Sequence, residues 1–402
     1  MTKNILFINS SWEQEALVKS IYERGHKIIA TSEKVPNYCK YLKKHISCNE
    51  TEIGSIMKIA ELFEVNSIIS DNCDYSLLTS EIISDILSLP SSGLESARIS
   101  NNKYIQRKLC KESNINQPLF ELVNSMERLL KFTETLSKPF LIKPLDSRGS
   151  IGITYLEKNS TNRQIGNAVT KAIYASPSRQ CLVEEFIEGE LLTIDGFLIE
   201  NNCLPISIAK RKRISSGLIV TNEIIYDSNL DKNLIQKCFL FLNKVAKSLK
   251  YKNGHIHCEV LLDKKDTLWL VECTNRGAGV FTSSSINPYI SGIDLNRLFL
   301  DIKLGNKIQK PNREIENFSQ LNASLIFPSL GINGKILYDY NLEKIRDLKE
   351  VLAFKIFSKI GRPLSVPQDG PSRHFALALS TSKGDEIKEI TEYIINNCFN
   401  VK

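Results

Sequence analysis

The sequence predicts a mixed fold, part α/β and part α+β, and three observations carry that expectation. Apolar runs and helical patterns alternate through residues 1–98, as the strands and crossover helices of a parallel sheet do. Residues 254–279, GHIHCEVLLDKKDTLWLVECTNRGAG, read as two apolar strands joined by the charged turn Asp263-Lys264-Lys265-Asp266. The tail, 321–398, sets short strands (ASLIF, KILYD, HFALALS) between glycine turns and closes on a helix at 385–397. A chain of 402 residues exceeds what one core usually fills, so two or three subdomains are expected.

In order, the run NILFI at 4–8 is the first strand and ends at Asn9-Ser10-Ser11. The spacing of Ala16, Leu17, Ile21 and Tyr22 predicts a helix that stops at Gly25. A strand at 27–30, a helix over 53–63, a strand at 67–70 and a helix over 75–88 continue the alternation. Parallel sheets bind ligands at the carboxyl ends of their strands, which singles out Asn9–Ser11 and Asp71–Asp74. The first loop lacks G-x-G-x-x-G, so it carries no dinucleotide fingerprint. It reads as a substrate contact or as plain turn chemistry.

Residues 100–114 predict a capped helix with Lys103 in its first turn. A cation there opposes the helix dipole, which hints at an anionic partner, a solvated lysine being the alternative. Residues 139–157 read as two strands enclosing a Gly/Ser loop, with Lys143 at its entrance and Arg148 within it. The backbone amides of such a loop can cradle phosphates. It is no P-loop, because Gly-Lys-Ser/Thr is absent and a strand follows instead of a helix. A strand at 181–187 runs into the acidic turn Glu188-Gly189-Glu190, and an antiparallel pair turns at Asn201-Asn202. The basic run Lys210–Arg213 reads as a nucleic-acid contact or as a solvated or phosphate-directed face. The lack of interleaved aromatic residues favours the second reading. A helix over 229–250 precedes the hairpin, and the polar, proline-containing segment 306–320 reads as a linker.

Pairing Leu262 with Trp269 sets Glu259 directly opposite Glu272 on one face of the hairpin. Facing carboxylates repel, so a cation between them is expected, and hard oxygen ligands suit Mg²⁺. Thr274, Asn275 and Arg276 follow at once, and arginine is well shaped to clamp a phosphoryl group. The alternative is a surface hairpin with two solvated glutamates. The net charge of +7 fits an anionic ligand without requiring nucleic acid. None of the ten cysteines has the two-residue spacing of a zinc or redox pair, so buried free thiols are expected. No apolar run suits a signal peptide or membrane span, and the expected location is cytoplasmic.

The helix NKYIQRKLCKESNI, the loop KPLDSRGSIG, then VEEFIEG, GHIHCEV and VECTNR, in this order, resemble the ATP-grasp superfamily of ATP-dependent carboxylate–amine ligases. The likeness is greatest to the biotin-carboxylase-like branch that includes L-amino-acid ligases. The resemblance implies an ATP-grasp fold, with an N-terminal parallel α/β (pre-ATP-grasp) domain at 1–98 and an ATP-grasp region at 99–305. Its lid subdomain lies around 115–186, and a C-terminal α+β portion at 306–402 completes it. The implied ligands are ATP and Mg²⁺, with Mn²⁺ as a substitute. The implied partners are small-molecule carboxylate and amine substrates, with no nucleic acid or membrane, and family habit points to a homodimer. The implied reaction forms an amide or peptide bond through an acyl-phosphate, with ADP and phosphate released. A bicarbonate-phosphorylating carboxylase and a non-catalytic nucleotide- or nucleic-acid-binding module are the alternatives.

At matching positions, Lys103 and Lys143 correspond to the lysines that hold the ATP phosphates. Ser147, Arg148, Gly149, Ser150 and Gly152 fall in the lid loop over the triphosphate. Glu184 and Glu185, with the backbone of Phe186 and Ile187, match the adenine hinge, and Glu190 matches a ribose ligand. Glu259 and Glu272 match the metal-binding carboxylates, and Arg276, with Lys143, takes the catalytic role at the phosphate. The family pattern Glu-x-Asn-x-Arg is broken, because Thr274 stands at the asparagine position and Asn275 follows. Thr274 fits the strand parity and Asn275 is the better oxygen donor, so the further metal ligand is open between them.

Overall fold

The computed structural model describes all residues except 214–220, 332, 333 and 368, and the side chain of Arg213, last of the basic run, also lies outside the described residues. Asn4–Ile8, Lys27–Ser32, Lys44–Ser47 and Ser67–Ile69 form a parallel sheet in which Asn4–Ile8 sits between Lys27–Ser32 and Ser67–Ile69. The central strand is buried on both faces. Ile5 and Phe7 pack towards helices Glu15–Glu23 and Leu295–Leu304, whereas Leu6 and Ile8 pack towards Ile53–Leu62 and Asp74–Ile86. Burial on both faces explains why these strands read as unbroken apolar runs. The chain leaves Asn4–Ile8 for one side of the sheet and returns at Ser67–Ile69 on the other. Their carboxyl ends, Asn9–Ser11 and Asn72–Asp74, therefore flank the crevice where ligands of such sheets bind.

Phe120–Leu122, Cys181–Glu185, Phe140–Pro144 and Thr154–Leu156 make a second sheet, covered by helices Met126–Thr135 and Asn162–Ala175. Helix Lys103–Glu112 leads into it, with Asn102 as its N-cap accepting from the Ile105 amide. A short helix, Leu94–Ser100, precedes it and was not anticipated.

The third sheet has eight antiparallel strands, in the order Leu268–Thr274, Gly254–Leu262, Glu190–Ile199, Asn202–Arg213, Thr221–Tyr226, Ala323–Ile326, Phe375–Leu379 and Val351–Ile356. One face packs on helix Lys232–Ser248, where Ile194, Ile256, Cys258 and Val260 meet Phe239, Leu242 and Val245. Period-two alternation then sends His257 and Glu259 to the other face. Segment 306–320, expected as a linker, has no regular structure yet is anchored in the core. Arg313 donates to the carbonyls of Pro205 (2.6 Å) and Ile206 (3.1 Å), and Phe318 packs against Phe239. It carries the chain back into the same sheet at Ala323–Ile326. Strand Val351–Ile356 was also not anticipated. The ten cysteines are free thiols, eight of them buried. Among the described residues no helix is long and apolar enough to cross a membrane.

Candidate active site

The hairpin register differs by one from expectation at its tip and agrees at the glutamates. Leu262 pairs with Leu268, Leu261 with Trp269 and Val260 with Leu270, yet Glu259 pairs with Glu272. The mismatch is absorbed by a bulge at Val271, whose carbonyl accepts from Arg107 Nη2 at 2.7 Å. Arg107 stands one turn after Lys103 on the same helix, so one helix face clamps the bulge and supplies two cations to the cleft beside it.

That cleft, about 180 Å³, lies between the lid sheet and the hairpin. Its wall includes Lys103, Lys143, Ser147 to Ile151, Glu184 to Ile187, Glu259 and Glu272. Glu184 is buried between Arg107, which reaches it with two bonds (2.8 and 3.2 Å), and Lys143 (2.6 Å). Burial works against the Glu184 charge, but Arg107 and Lys143 outweigh it and hold the pKa down at about 2. Lys143 shares that carboxylate with Arg107, and burial lowers its pKa to about 8, with Arg107 and Lys103 adding to the effect while Glu184 opposes it. Burial also disfavours charge on Lys103, but Glu272 (2.9 Å) prevails and raises its pKa. Lys103 also donates to the Ser147 carbonyl at 2.9 Å. Three cations thus crowd around two carboxylates, an excess of positive charge that suits a polyphosphate. In the hinge, the Phe186 amide is spent on the Pro139 carbonyl, whereas the Ile187 amide has no backbone partner among the described residues.

The lid loop turns through positive φ at Gly149, Ser150 and Gly152. Gly152 does not line the cleft. A Cβ there would meet Ala175 Cβ at 2.4 Å and Pro144 Cγ at 2.8 Å, so this glycine seats the loop against the lid body.

A second cavity, about 510 Å³, opens on the far side of the same loop. Arg148 to Ile151, Arg211, Thr221, Glu259 and Glu272 line both spaces. Its remaining wall comes from the N-terminal domain (Asn9, Ser11, Trp12, Glu13, Asn72, Asp74), from the segment after the hairpin and from the C-terminal portion (Leu325, Phe327, Phe357, Arg373). Arg276 grips Asp74 with two bonds of 2.6 and 2.8 Å. The Gly277 amide donates to Asp71 at 2.7 Å, and a side chain at Gly277 would overlap Asp71, Asn72 and Ser283. These contacts dock the parallel sheet onto the end of the hairpin. Arg211 pairs with Glu259, and His257 bridges Asp195 (2.8 Å) and Glu259 (3.7 Å). Burial works against charge on His257, but the two carboxylates raise its pKa to about 9. Burial likewise opposes the Glu259 charge, and Arg211 and His257 overcome it, so Glu259 stays ionised.

Most of the expected residues converge; besides Gly152, two do not. Glu190 is exposed at the start of its strand and pairs with Lys210 at 3.1 Å. Its neighbour Leu191 faces the cleft, and Glu190, expected as a ribose ligand, is not part of the cleft wall. Asn275 points away from the cavity, and its amide donates to the carbonyls of Asn253 (3.0 Å) and His255 (2.8 Å). Thr274 lines the cavity beside the glutamates, and its buried hydroxyl has no partner among the described residues. Of the basic run, Lys210, Arg211 and Lys212 are all ion-paired, to Glu190, Glu259 and Glu223. Sequence reasoning missed Arg107, His257 and Arg373. The first two were within reach, as Arg107 sits at i+4 from Lys103 and His257 at i−2 from Glu259. Arg373 carried no local signal.

Among the described residues no group of three or more His, Cys, Asp and Glu forms a metal cage. The donor set nonetheless fits Mg²⁺. It offers two carboxylates and a hydroxyl without a partner among the described residues, all hard oxygens, at a place where phosphate oxygens and water could complete the shell.

Residues 136–284 match the family described as "ATP-grasp domain". Alanine–anticapsin ligase of Bacillus subtilis (strain 168) is 24% identical over 280 residues, covering 64% of this chain and 58% of that protein. The carbamoyl phosphate synthase large chain of Thermoanaerobacter pseudethanolicus is 25% identical over 238 residues, covering 58% of this chain and 21% of that one. Both matches span less than two thirds of the relative's own length. The crystal structure of L-amino acid ligase from Bacillus licheniformis superposes with a TM-score of 0.82 at 18% identity, covering 100% of this chain and 98% of that one. Residues 136–284 match an ATP-grasp domain, and the chain as a whole has the fold of the ATP-grasp enzymes it superposes on.

Proposed function

We propose that this protein is an ATP-dependent carboxylate–amine ligase that activates a small-molecule carboxylate as an acyl-phosphate and passes the acyl group to an amine, releasing ADP and phosphate. One observation carries the reading: Glu259, Glu272 and the lid loop form a common wall between the cation-rich cleft and the larger cavity. A nucleotide in the cleft, with its base at Phe186 and Ile187, would present its terminal phosphate at that wall to a carboxylate held on the other side.

A carboxylate is a poor electrophile until it is phosphorylated, and phosphoryl transfer is chiefly a matter of positioning and charge neutralisation. Lys103 and Lys143 would hold the phosphates, and Arg276 would meet the charge that develops on the transferred group. Bound Mg²⁺, held by Glu259, Glu272 and Thr274, would neutralise charge between phosphate oxygens. The lid loop would keep water from the acyl-phosphate. Alanine–anticapsin ligase and L-amino acid ligase, among the similar proteins, support an amino acid as the activated carboxylate. The likeness in fold to a biotin carboxylase domain solved with MgADP and bicarbonate favours bicarbonate as a second reading. A cavity of about 510 Å³ with Trp12, Phe327 and Phe357 in its wall suits a larger and partly apolar molecule better.

The test is ADP release across pairs of amino acids, other small acids and amines. Release that needs both partners and collapses in Glu272→Ala supports the ligase. Release driven by bicarbonate without an amine, or unchanged in Glu272→Ala, overturns it.

A further inference from the structure

Three parts of the fold grip the root of the lid loop, each at a different residue. The Tyr75 hydroxyl donates to the Asp146 carbonyl at 3.1 Å, Lys103 donates to the Ser147 carbonyl at 2.9 Å, and the Gly370 amide meets the Gly149 carbonyl at 3.5 Å. The grips come from the N-terminal domain, from helix Lys103–Glu112 and from the C-terminal portion. The Asp146 side chain is tied the other way, into the lid body, where it accepts from the Ser176 hydroxyl and from the Ser178 amide at 3.1 Å. Asp146 is therefore the joint between the lid and the N-terminal domain.

Tyr75 makes a second contact with the loop. The Arg148 guanidinium lies over its ring, 5.1 Å from the centroid, and reaches on to Cys73 Sγ. Arg148 is exposed, and these contacts turn its side chain onto the start of helix Asp74–Ile86. The helix dipole disfavours a cation there, and the ring face and the nearby Asp74 carboxylate offset that. Tyr75 lines neither the cleft nor the larger cavity, and its hydroxyl has no other partner among the described residues. Ring and hydroxyl both serve the loop. The next residue back, Asp74, is held by Arg276 at 2.6 and 2.8 Å. One helix end thus fixes the lid loop and also the arginine that would meet the transferred phosphoryl group.

We propose that Tyr75 is a positioning residue that latches the lid loop to the N-terminal domain, in step with Arg276, so that the acyl-phosphate meets the amine and not water. This rests on the ligase reading and names what holds its lid shut. Water attacking the acyl-phosphate returns the free carboxylate and phosphate, so each failure of the latch consumes one ATP and forms no amide.

Lys103 belongs to the phosphate machinery and Gly370 acts through its backbone, so Tyr75 is the grip that can be removed alone. The first arm of the test needs no turnover. Trypsin cleavage after Arg148 is followed by mass spectrometry in wild type, Tyr75→Phe and Tyr75→Ala, with cleavage at the exposed Lys264 and Lys265 of the hairpin tip as internal reference. Cleavage follows the population of the open loop. Tyr75→Ala should be cut after Arg148 at least about fivefold faster, as expected for loss of one hydrogen bond and one exposed cation–π contact. Tyr75→Phe keeps the ring and should show a smaller rise, while the reference rate stays within about twofold in both. The second arm measures phosphate released per amide formed, with the acid and amine that give the fastest ADP release in wild type. The wild-type ratio should be about one; Tyr75→Ala should raise it at least about twofold, and Tyr75→Phe should recover part of the loss.

Equal cleavage after Arg148 in all three proteins overturns the latch, and faster cleavage with an unchanged ratio overturns its role against water. A reference rate that rises in step with the Arg148 rate in both variants assigns Tyr75 to global stability and overturns the proposal as well. Where no pair releases ADP, the ligase reading falls and cleavage alone decides the latch.

Discussion

Glu184→Gln is the sharpest probe of the cleft, because one carboxylate there serves two buried cations. Its side chain is 3% exposed, with Arg107 bonded to both oxygens and Lys143 at 2.6 Å. Its native pKa of about 2 stands against 4.5 in the unfolded chain. The folded value is the lower one, so the stabilisation is fully present above pH 4.5 and is lost as pH falls towards 2. A difference of two and a half units corresponds to on the order of 3 kcal/mol. At neutral pH, Gln leaves Arg107 charged and without its carboxylate. Lys143, already lowered to about 8 and now without the carboxylate that held it up, can escape by losing its proton. The expected loss of stability is therefore about 3–5 kcal/mol at pH 7, the usual cost of breaking a buried pair from one side. Because the variant has no carboxylate to titrate, this deficit should shrink by about 3 kcal/mol between pH 4.5 and 2. Urea unfolding of both proteins at pH 7, 4.5 and 3 reads the difference, and amide exchange along Cys181–Glu185 localises it. A deficit that stays constant across that range would refute the assignment of the acid-labile energy to Glu184.

Lys143, with its pKa lowered to about 8, is largely neutral in the free protein above that pH, whereas bound phosphates favour the ammonium. ATP binding at pH 8.5–9.5 should therefore take up a proton, and affinity should fall as pH rises through this window. Calorimetry in two buffers of different ionisation enthalpy detects the uptake, and Lys143→Met should abolish it. Gly152→Ala forces a Cβ into Ala175 and Pro144 at positive φ, and should lower stability by about 1–3 kcal/mol and raise KM for ATP. Gly149→Ala, where a Cβ meets open space, should cost only the left-handed backbone penalty of about 1–2 kcal/mol. Thr274→Val should raise the Mg²⁺ concentration for half-maximal activity while leaving Tm nearly unchanged. Asn275→Ala, which cuts two buried bonds to Asn253 and His255, should lower Tm without moving the Mg²⁺ requirement; the reverse pattern would restore Asn275 as the ligand.

What could be read in advance was whatever a short window of chain decides. Three of the four parallel strands, the capped helix that carries Lys103 and the helix Lys232–Ser248 all follow from runs, caps and periods within a dozen residues. The large cavity was only half legible. Asn9–Ser11 and Asp71–Asp74 are strand ends and announce themselves. Phe327, Phe357 and Arg373 reach the site only because Ala323–Ile326, Phe375–Leu379 and Val351–Ile356 extend the sheet beyond Thr221–Tyr226. No local pattern encodes which strand a distant strand will choose.

Strand parity and motif matching point to different residues here. Motif matching alone left Asn275 open as a metal ligand and put Glu190 at the ribose. Side chains alternate faces, so Glu272 and Thr274 share the cavity side while Asn275 turns into the protein, and Leu191 faces the cleft while Glu190 meets Lys210 outside it. Parity also explains how a one-residue error at the tip did no harm. A slip carried through the whole hairpin would have sent one glutamate to the helix face, among Cys258, Val260 and Leu270. The bulge at Val271 returns the register before the glutamates are reached, and Arg107, which is also tied to Glu184, holds that bulge by its carbonyl. The alignment of the carboxylate pair and the electrostatics of the cleft therefore depend on the same guanidinium. Replacing Arg107 should disturb both at once, which a purely local reading of either would not predict.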